Sequence, residues 1–359
     1  MNGHDETGRR RRRGVMDAGR AVFVLLLVGF VGLAVMGSTR VFTRQEPFVR
    51  RAWPEFVAGR WTGRGLAYGM HRDGQRPGGP SPTRAQIAED LAILAPGWAT
   101  LRVYGSTEPT GTVLDVLRAK HPDVGLVLGV WIEPETVRDS VRHAFVTDAA
   151  KARENRRQID MAVRLARRDA DLIRAIVVGN ETQVFWSGHR VAPEQLIGAI
   201  RELRARTRLP VTTADDFNFW NKPESEAIAR ECDFAMVHAH PLWNGQSPET
   251  AIAWTEARLA EIRALHPGLP LVLGETGWAT QRTDTGDEAK YMKSASSDSA
   301  QVEFMRAYEA WIATRPLPVF VFEAFDENWK GGDKSDEVEK HWGLYRADRR
   351  PKPAVAGSR

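Results

Sequence analysis

Two glutamates in the 359-residue chain stand where paired carboxylates can do chemistry. Glu181 ends the motif GNE at 179–181, and Glu275 lies in GETGW at 274–278. Each follows a short apolar run, and the interval between them corresponds to three βα units of roughly 30 residues each. Converging carboxylates can cleave a glycosidic bond, because one protonates the leaving oxygen while the other attacks the sugar carbon or activates water. We therefore expect both side chains to meet at one site.

The elements that must position this pair are eight nearly continuous apolar, β-rich runs, the pattern of parallel strands buried on both faces. Amphipathic helices are predicted between them at 83–94, 158–167, 193–206 and 248–265. This alternation predicts an α/β fold, a (β/α)₈ TIM barrel, whose active site forms at the C-terminal strand ends. An open doubly wound sheet is the alternative, and the absence of G-x-G-x-x-G after the first strand disfavours its dinucleotide-binding form. The predicted strands are 65–69, 100–104, 125–131, 173–179, 209–213, 234–238, 269–274 and 319–325.

The N-terminus carries an uncharged apolar segment, AVFVLLLVGFVGLAVMG, at 21–37. Its length is at the short end of the roughly 17–25 residues that span a bilayer. Arginines at 9–13 and 20 precede it, which predicts a cytoplasmic N-terminus and an exported remainder. A cleaved signal peptide is the alternative, although no A-x-A pattern ends the segment.

With an uncleaved anchor, the sequence predicts five segments. They are a cytoplasmic basic tail at 1–20, one transmembrane helix as anchor at 21–37, a linker at 38–61, a catalytic barrel at 62–353 and a tail at 354–359. We expect a single-pass protein of the inner (cell) membrane, with the barrel in the periplasm or otherwise outside the cytoplasm. The lipid bilayer is then a partner. The net charge of +4 resides in residues 1–40, which contain seven arginines and three acidic residues. The predicted barrel therefore carries no excess positive charge, and no nucleic-acid partner is expected. The single cysteine, Cys232, is expected to be a buried apolar residue.

Taken together, the motifs resemble glycoside hydrolase family 17. Besides GNE and GETGW they include FDENWK at 325–330, HWGLY at 341–345, and YGMHRDGQ at 68–75 followed by PGGPSPT at 77–83, which is similar to the bacterial branch. The resemblance covers roughly residues 62–353. It implies a retaining (β/α)₈ enzyme in which Glu181 is the acid/base and Glu275 the nucleophile. It further implies a β-glucan substrate, most simply β-1,3-linked, and no cofactor or metal.

The same resemblance suggests substrate-binding residues. Asn180 would hydrogen-bond the sugar 2-hydroxyl, and Glu327 and Lys330 match family positions near the catalytic pair. Lys330 is expected to help keep Glu275 ionised, whereas Glu181 must be held partly protonated. Plant members carry a tyrosine where His240 stands, so their substrate preference does not transfer directly. His238 and His240 form an H-x-H pair, but no third metal ligand is evident and no metal site is predicted.

Residues that follow the strands are further candidates for sugar contacts, because flat aromatic rings suit the apolar faces of sugars. Trp278 and Trp329 are the foremost, since each neighbours a motif residue. The remaining predicted substrate-binding residues are Tyr68, Tyr104, Asp216 and Trp220.

Three functions stay open at this point. Hydrolysis and transglycosylation share one glycosyl-enzyme intermediate and differ only in whether water or a second sugar accepts the glycosyl group. The sequence does not decide between a hydrolase and a glucan-remodelling enzyme of glucan biosynthesis. A non-catalytic glycan-binding barrel is the third hypothesis, although the presence of both glutamates disfavours it.

Overall fold

The computed structural model describes residues 48–57, 60–139, 144–315 and 317–356. Eight parallel strands close into a barrel in chain order, as the sequence predicted, and closure excludes the open-sheet alternative. The basic tail, the anchor at 21–37 and the first part of the linker lie outside the described residues. Within the described ranges, no helix combines the length and apolar character needed to cross a membrane. The barrel strands are β3 Arg64–Ala67, β4 Thr100–Val103, β5 Gly125–Val130, β8 Ile173–Asn180, β9 Val211–Asp216, β10 Ala235–His238, β11 Leu271–Thr276 and β12 Val319–Val321.

Helices cover the outside of the barrel. Thr83 caps the first of them in a capping box with Gln86, which agrees with the helix start predicted from the sequence. Two of the predicted helices keep their predicted bounds, and the one predicted at 158–167 begins earlier. The helices are α1 Arg84–Leu94, α2 Glu108–Lys120, α3 Ala149–Arg168, α4 Pro193–Arg206, α5 Phe217–Trp220, α6 Glu226–Ala229, α7 Pro248–Leu265, α8 Gly286–Tyr291, α9 Asp298–Ile312 and α10 Pro353–Ala356. Short 3₁₀ turns lie at Pro223–Ser225, Leu242–Asn244 and Val338–Lys340.

Two small antiparallel pairs stand outside the barrel. One joins β1 Phe56–Val57 to β2 Arg60–Trp61 ahead of the first barrel strand. The other is a hairpin of β6 Thr136–Asp139 and β7 Ala144–Thr147, inserted between the third barrel strand and α3. The hairpin therefore extends the loop after β5 on the side of the barrel where the strands end.

The N-terminal end of the barrel is closed by residues that the sequence assigned to a linker. The Trp53 ring packs edge-on against Phe234 and Phe320, with centroid distances of 5.8 and 6.1 Å. Arg51 donates to the carbonyls of Leu209 and Arg204, each at 2.8 Å, just ahead of the fifth barrel strand and at the end of α4. The described part of 48–61 is therefore built into the barrel, and the chain joins the barrel at the end opposite the strand ends that carry the glutamates.

The C-terminal end of the chain is held by two buried cations. Lys352, fully buried, donates to Asp326 Oδ1 at 2.7 Å and to Thr280 Oγ1 at 2.8 Å. Arg349 donates to both oxygens of Asp90, at 2.9 and 3.1 Å. These pairs fix the segment after the eighth strand. The helix α10, Pro353–Ala356, begins at the last residue of the predicted barrel and extends into the predicted tail.

Candidate active site

Glu181 lies directly after β8, at a point where the backbone turns sharply. The pairing of β8 with β9 shifts register between Val177 and Asn180, and Gly179 adopts a positive φ of 73°. Glu181 itself has φ 51° and donates its backbone N–H to the Ala214 carbonyl at 2.9 Å. A left-handed conformation costs a non-glycine residue about 1 kcal/mol or more, and such strain concentrates at functional sites. The turn presents the carboxylate at the mouth of the barrel, where the side chain stays partly exposed.

Glu275 lies within β11, and three side chains hold its carboxylate. Arg102 Nη1 and the Tyr104 hydroxyl donate to Oε1 at 2.9 and 3.0 Å, and His240 Nε2 lies 3.3 Å from Oε2. Gly274 makes this approach possible, because a Cβ there would lie 2.3 Å from the Met236 side chain and 3.3 Å from Arg102 Nη1. The nucleophile candidate is therefore fixed through both of its oxygens.

His238 connects the two glutamates. Its Nδ1 lies 2.9 Å from Glu181 Oε1, and its Nε2 lies 3.0 Å from Arg102 Nη1. Arginine can only donate, so Nε2 must accept and the imidazole proton must sit on Nδ1. A neutral His238 then donates to Glu181 Oε1, which leaves Oε2 of Glu181 as the oxygen that carries an acidic proton.

The environments of the two glutamates separate their pKa values. Burial and the charge on Glu275 raise the pKa of Glu181 to about 8, although His240 and Arg102 oppose the shift. Burial alone would raise the pKa of Glu275, but the Arg102 charge and the contact from His240 outweigh it and lower the pKa well below its usual range. Burial also lowers the pKa of His238 to about 3, in agreement with the neutral tautomer. Arg102 is therefore the permanent cation beside Glu275, and near neutral pH one glutamate is protonated and the other ionised.

The spacing of the carboxylates defines what the pair can do. Ligand oxygens of Glu181 and Glu275 and a ring nitrogen of His238 all lie within 4.8 Å of one another. Retaining glycoside hydrolases keep their carboxyl groups about 5–5.5 Å apart, whereas inverting enzymes need roughly 6.5–9.5 Å to admit a water. The same three residues could bridge a cation by distance, but the Arg102 guanidinium already contacts two of them and would repel a metal ion. The arrangement fits a retaining pair and does not fit a metal centre.

Three predicted sugar contacts are wrong, because their side chains belong to the core. Tyr68 is buried and donates to Asp90 Oδ2 at 3.1 Å. Trp220 is fully buried, with its Nε1 bonded to the Met236 carbonyl. Trp278 is 1% exposed, packs on Phe304 of α9 and donates to the Ala295 carbonyl, so it cannot form a platform in the cleft.

Other predicted residues do gather at the mouth. Tyr104 and His240 contact Glu275, as described. The Asn180 amide oxygen accepts from Arg102 Nη2 at 2.6 Å, so its amide N–H group is the part that can contact a sugar. Burial raises the pKa of Asp216 to about 6, with a further contribution from the charge on Glu181, which places this cap of α5 near the acid/base.

Glu327, Trp329 and Lys330 form a separate group on the loop after β12. Lys330 Nζ donates to both oxygens of Glu323, at 2.7 and 2.6 Å, and pairs with Glu327 Oε2 at 2.8 Å. Trp329 is 38% exposed and donates to Glu327 Oε1 at 3.0 Å. Two acidic side chains thus hold Lys330, and Arg102 is the cation that contacts Glu275 in the role expected of Lys330.

The sequence interpretation missed Arg102 and missed the role of His238. Both lie inside barrel strands, TLRV at 100–103 and AMVH at 235–238, that were interpreted only as apolar runs. A charged residue within an otherwise apolar buried strand was the available signal, since such residues are almost never fully buried unless paired. Cys232, in contrast, is buried as predicted.

A closed parallel barrel that carries two glutamates with separated pKa values at its mouth is the architecture of a glycoside hydrolase. The comparison with known families agrees: residues 65–343 match the BtgE/BtgC glycoside hydrolase domain. The chain belongs to this family and is a glycoside hydrolase.

Curated relatives and solved structures of similar fold extend the comparison. A glucan 1,3-beta-glucosidase of Arthroderma benhamiae is 29% identical over 77% of this chain and 86% of its own length. A putative glucan endo-1,3-beta-glucosidase btgC of Aspergillus niger is 27% identical over 76% of this chain, which spans only 40% of that longer relative.

An endo-laminarinase from Formosa has a similar fold, with a TM-score of 0.68 and 24% identity, over 81% of this chain and 85% of its own. The family 17 beta-1,3-glucanosyltransferase of Rhizomucor miehei gives a TM-score of 0.63 at 22% identity, over 81% and 96% of the two chains. At this level of identity the two structures establish a shared barrel fold.

Proposed function

We propose that this protein is a retaining β-glucan-active enzyme that cleaves β-1,3-linked chains by double displacement. The observation that carries the proposal is the separation of pKa values between two glutamates whose nearest oxygens lie within 4.8 Å. The β-1,3 linkage is supported by the relatives, which are named as glucan 1,3-beta-glucosidases or endo-1,3-beta-glucosidases. It is also supported by a similar barrel in complex with laminaritriose.

In the first step, the ionised Glu275 attacks the anomeric carbon of the sugar that occupies the mouth. Arg102, Tyr104 and His240 hold the carboxylate in place and keep it ionised. Glu181 gives its Oε2 proton to the departing glycosidic oxygen while His238 holds Oε1. The amide N–H of Asn180 is positioned to bind the sugar 2-hydroxyl, an interaction that strengthens in the transition state of such reactions.

In the second step, Glu181 acts as a base. It takes a proton from the incoming hydroxyl, whose oxygen attacks the anomeric carbon and releases Glu275. Water as the incoming group completes hydrolysis, and a sugar hydroxyl completes transglycosylation. Both outcomes use the same residues, so this chemistry supports a hydrolase and a glucanosyltransferase equally.

Chemical rescue by azide tests the two roles separately. In Glu275→Ala, azide enters the space left by the nucleophile and is expected to give an α-glucosyl azide from an activated β-glucoside. In Glu181→Ala, azide is expected to attack the glycosyl-enzyme and give a β-glucosyl azide. Rescue products of the same anomer from both variants, or rescue of neither variant while wild type is active, would contradict the assignment. A wild-type protein that binds β-1,3-glucan without turnover would instead favour the non-catalytic barrel.

We further propose that the enzyme works outside the cytoplasm while anchored in the cell membrane. The support is the arginine-flanked apolar segment at 21–37. Protease treatment of spheroplasts and of lysed cells tests this location, since only an exported barrel is digested while the cell membrane is still intact. Membership of a bacterial branch of family 17 stays a prediction, because most of the curated relatives are fungal.

A further inference from the structure

Exposed aromatic side chains lie in several segments that follow barrel strands. Phe185 and Trp186 are 74% and 50% exposed and adjacent in the loop that begins with Glu181. The other exposed large hydrophobic residues of the described ranges include three aromatics, all in segments that follow barrel strands, and Val49 near the closed end. Adjacent exposed aromatic residues on a soluble surface commonly mark a binding surface. The three remaining aromatics are Phe145, Tyr291 and Trp329.

The loop that carries Phe185 and Trp186 is fixed at its base. The buried Asp215 carboxylate accepts from the backbone N–H groups of Gln183 and Val184, at 2.8 and 3.2 Å. Val191 closes the loop by donating to the Thr182 carbonyl at 3.0 Å. The base is therefore buried and hydrogen-bonded while the tip stays exposed, so the two rings are displayed on a rigid support.

The far arm of the loop is tied to the catalytic motif. The His189 ring stacks on Trp131 with a centroid distance of 5.1 Å and an interplanar angle of 24°. His189 Nε2 lies 2.8 Å from the Asn180 carbonyl. Both arms thus fix the position of the loop tip relative to the residues beside Glu181.

We propose that Phe185 and Trp186 form an acceptor platform, a surface that binds the glucan chain on the leaving-group side of the cleaved bond. The acid/base residue must stand beside the leaving oxygen, so the loop that begins with Glu181 belongs to that side of the cleft. Flat rings suit the apolar faces of glucosyl units, and continuity with the catalytic site favours a glucan over a membrane or protein partner. This inference rests on the proposed function and names the part of the site that selects the acceptor.

The platform acts in the second step. A bound acceptor glucan presents its hydroxyl oxygen to the anomeric carbon of the glycosyl-enzyme. The bond between that carbon and the Glu275 oxygen breaks, a bond to the acceptor oxygen forms, and the hydroxyl proton passes to the Glu181 carboxylate. No oxidant or cofactor is required. Occupancy of the platform by glucan favours transfer over hydrolysis, because a sugar hydroxyl then stands where water would attack.

The test compares Trp186→Ala, Trp186→Phe and the double Phe185→Ala/Trp186→Ala variant with wild type, using the full chain. Laminari-oligosaccharides serve as donor and acceptor, and the ratio of transfer to hydrolysis products is followed against acceptor concentration. Trp186→Ala is expected to raise the acceptor concentration needed for half-maximal transfer about tenfold. Trp186→Phe keeps a ring and should recover most of the loss. Val49→Ala removes an equally exposed apolar side chain at the closed end and should change nothing.

Two further measurements separate the outcomes. Hydrolysis of a β-laminaribiosyl fluoride, whose leaving group is too small to contact the platform, should stay near wild type in the alanine variants. Retardation in a gel that contains laminarin reports glucan binding without turnover, and the double variant is expected to lose it. Unchanged acceptor dependence together with unchanged retardation would overturn the platform and leave the proposed function intact.

If wild type turns over no β-1,3-glucan, the proposed function fails, and the laminarin gel alone then tests the platform. Retardation in wild type that is lost in the double variant supports the platform. Equal retardation of both proteins, or no retardation of wild type, overturns it. Loss of binding to anionic lipid vesicles in the double variant, with glucan retardation unchanged, would assign the aromatics to a membrane surface and overturn the proposal.

Discussion

Replacing Arg102 by methionine should damage the nucleophile in a way that a pH profile reveals. Methionine keeps a long buried side chain but removes the charge beside Glu275. Arg102 is 1% exposed and also contacts His238 and Asn180. An adjacent opposite charge typically lowers a carboxylate pKa by about 1–3 units, and each unit corresponds to about 1.4 kcal/mol. We therefore expect the pKa of Glu275 to rise by that amount in Arg102→Met.

The raised pKa of Glu275 should change both the stability and the activity of Arg102→Met. The pKa of folded Glu275 lies below its unfolded value, so its contribution to stability is present above the unfolded pKa and is lost as the pH falls through the folded pKa. Arg102→Met should cost about 1.4–4 kcal/mol of this contribution at pH 7, and the deficit should narrow towards acid pH. Activity should fall about 10²–10³-fold at the optimum, because one fixed electrostatic contact at the reacting group is lost. The acid limb of kcat/KM should also move upward by about 1–3 pH units.

The assay is kcat/KM on a soluble laminari-oligosaccharide from acid to alkaline pH, together with denaturant unfolding at several pH values. Arg174→Met is the matched control, since Arg174 is also a buried arginine of a barrel strand but donates to the Asp171 carbonyl at the closed end. The control should lose stability without moving the acid limb. A folded Arg102→Met protein with the wild-type acid limb would refute the conclusion that Arg102 keeps Glu275 ionised.

Three further predictions follow from the same contacts. Because burial and Glu275 raise the pKa of Glu181 to about 8, wild-type kcat/KM should fall as the pH rises through about 8, and a fall centred near 5 would contradict this. His240→Phe removes the contact to Glu275 Oε2 and should lower kcat/KM about tenfold, whereas His240→Gln retains a donor and should stay within a few-fold of wild type. Lys352→Met leaves buried Asp326 without its cation and should lower the free energy of unfolding by about 3–5 kcal/mol in a denaturant titration. The control Lys334→Met, at an exposed position, should change the free energy of unfolding by less than about 0.5 kcal/mol.

The sequence was sufficient for the barrel and for the convergence of Glu181 and Glu275 because both depend on local patterns. Apolar runs that alternate with amphipathic segments define strands and helices, and chain order then brings equivalent strand ends to one face. Glu181 and Glu275 therefore converge whatever the details of packing. The exact strand ends were less predictable, since β12 has three residues and β9 continues to Asp216.

The aromatic assignments failed for a physical reason. Trp278 stands three residues beyond Glu275, yet the chain turns outward after β11 and the ring packs on Phe304 of α9. Trp186 stands five residues beyond Glu181 and is exposed. Proximity in sequence to a catalytic residue fixes neither the direction nor the burial of a side chain, because those depend on helices that pack from elsewhere in the chain.

The polar network inside the mouth required the structure for a similar reason. Arg102 lies on β4, His238 on β10 and Glu275 on β11, and their partnership depends on register across the closed barrel. The segment at 48–57 resembled a linker because its packing partners, Phe234 and Phe320, are remote in sequence. Contacts of this kind are set by tertiary geometry and leave no local pattern.

The network also accounts for the role proposed for Glu181, which serves first as acid and then as base. Two carboxylates this close resist joint ionisation, and Arg102, Tyr104 and His240 assign the negative charge to Glu275. Once Glu275 is esterified by the sugar its charge is gone, and so is the repulsion that raises the pKa of Glu181. Arg102 remains, and its charge favours the ionised form of Glu181. The pKa of Glu181 should therefore fall in the glycosyl-enzyme, when the second step requires a base, and return when Glu275 is released.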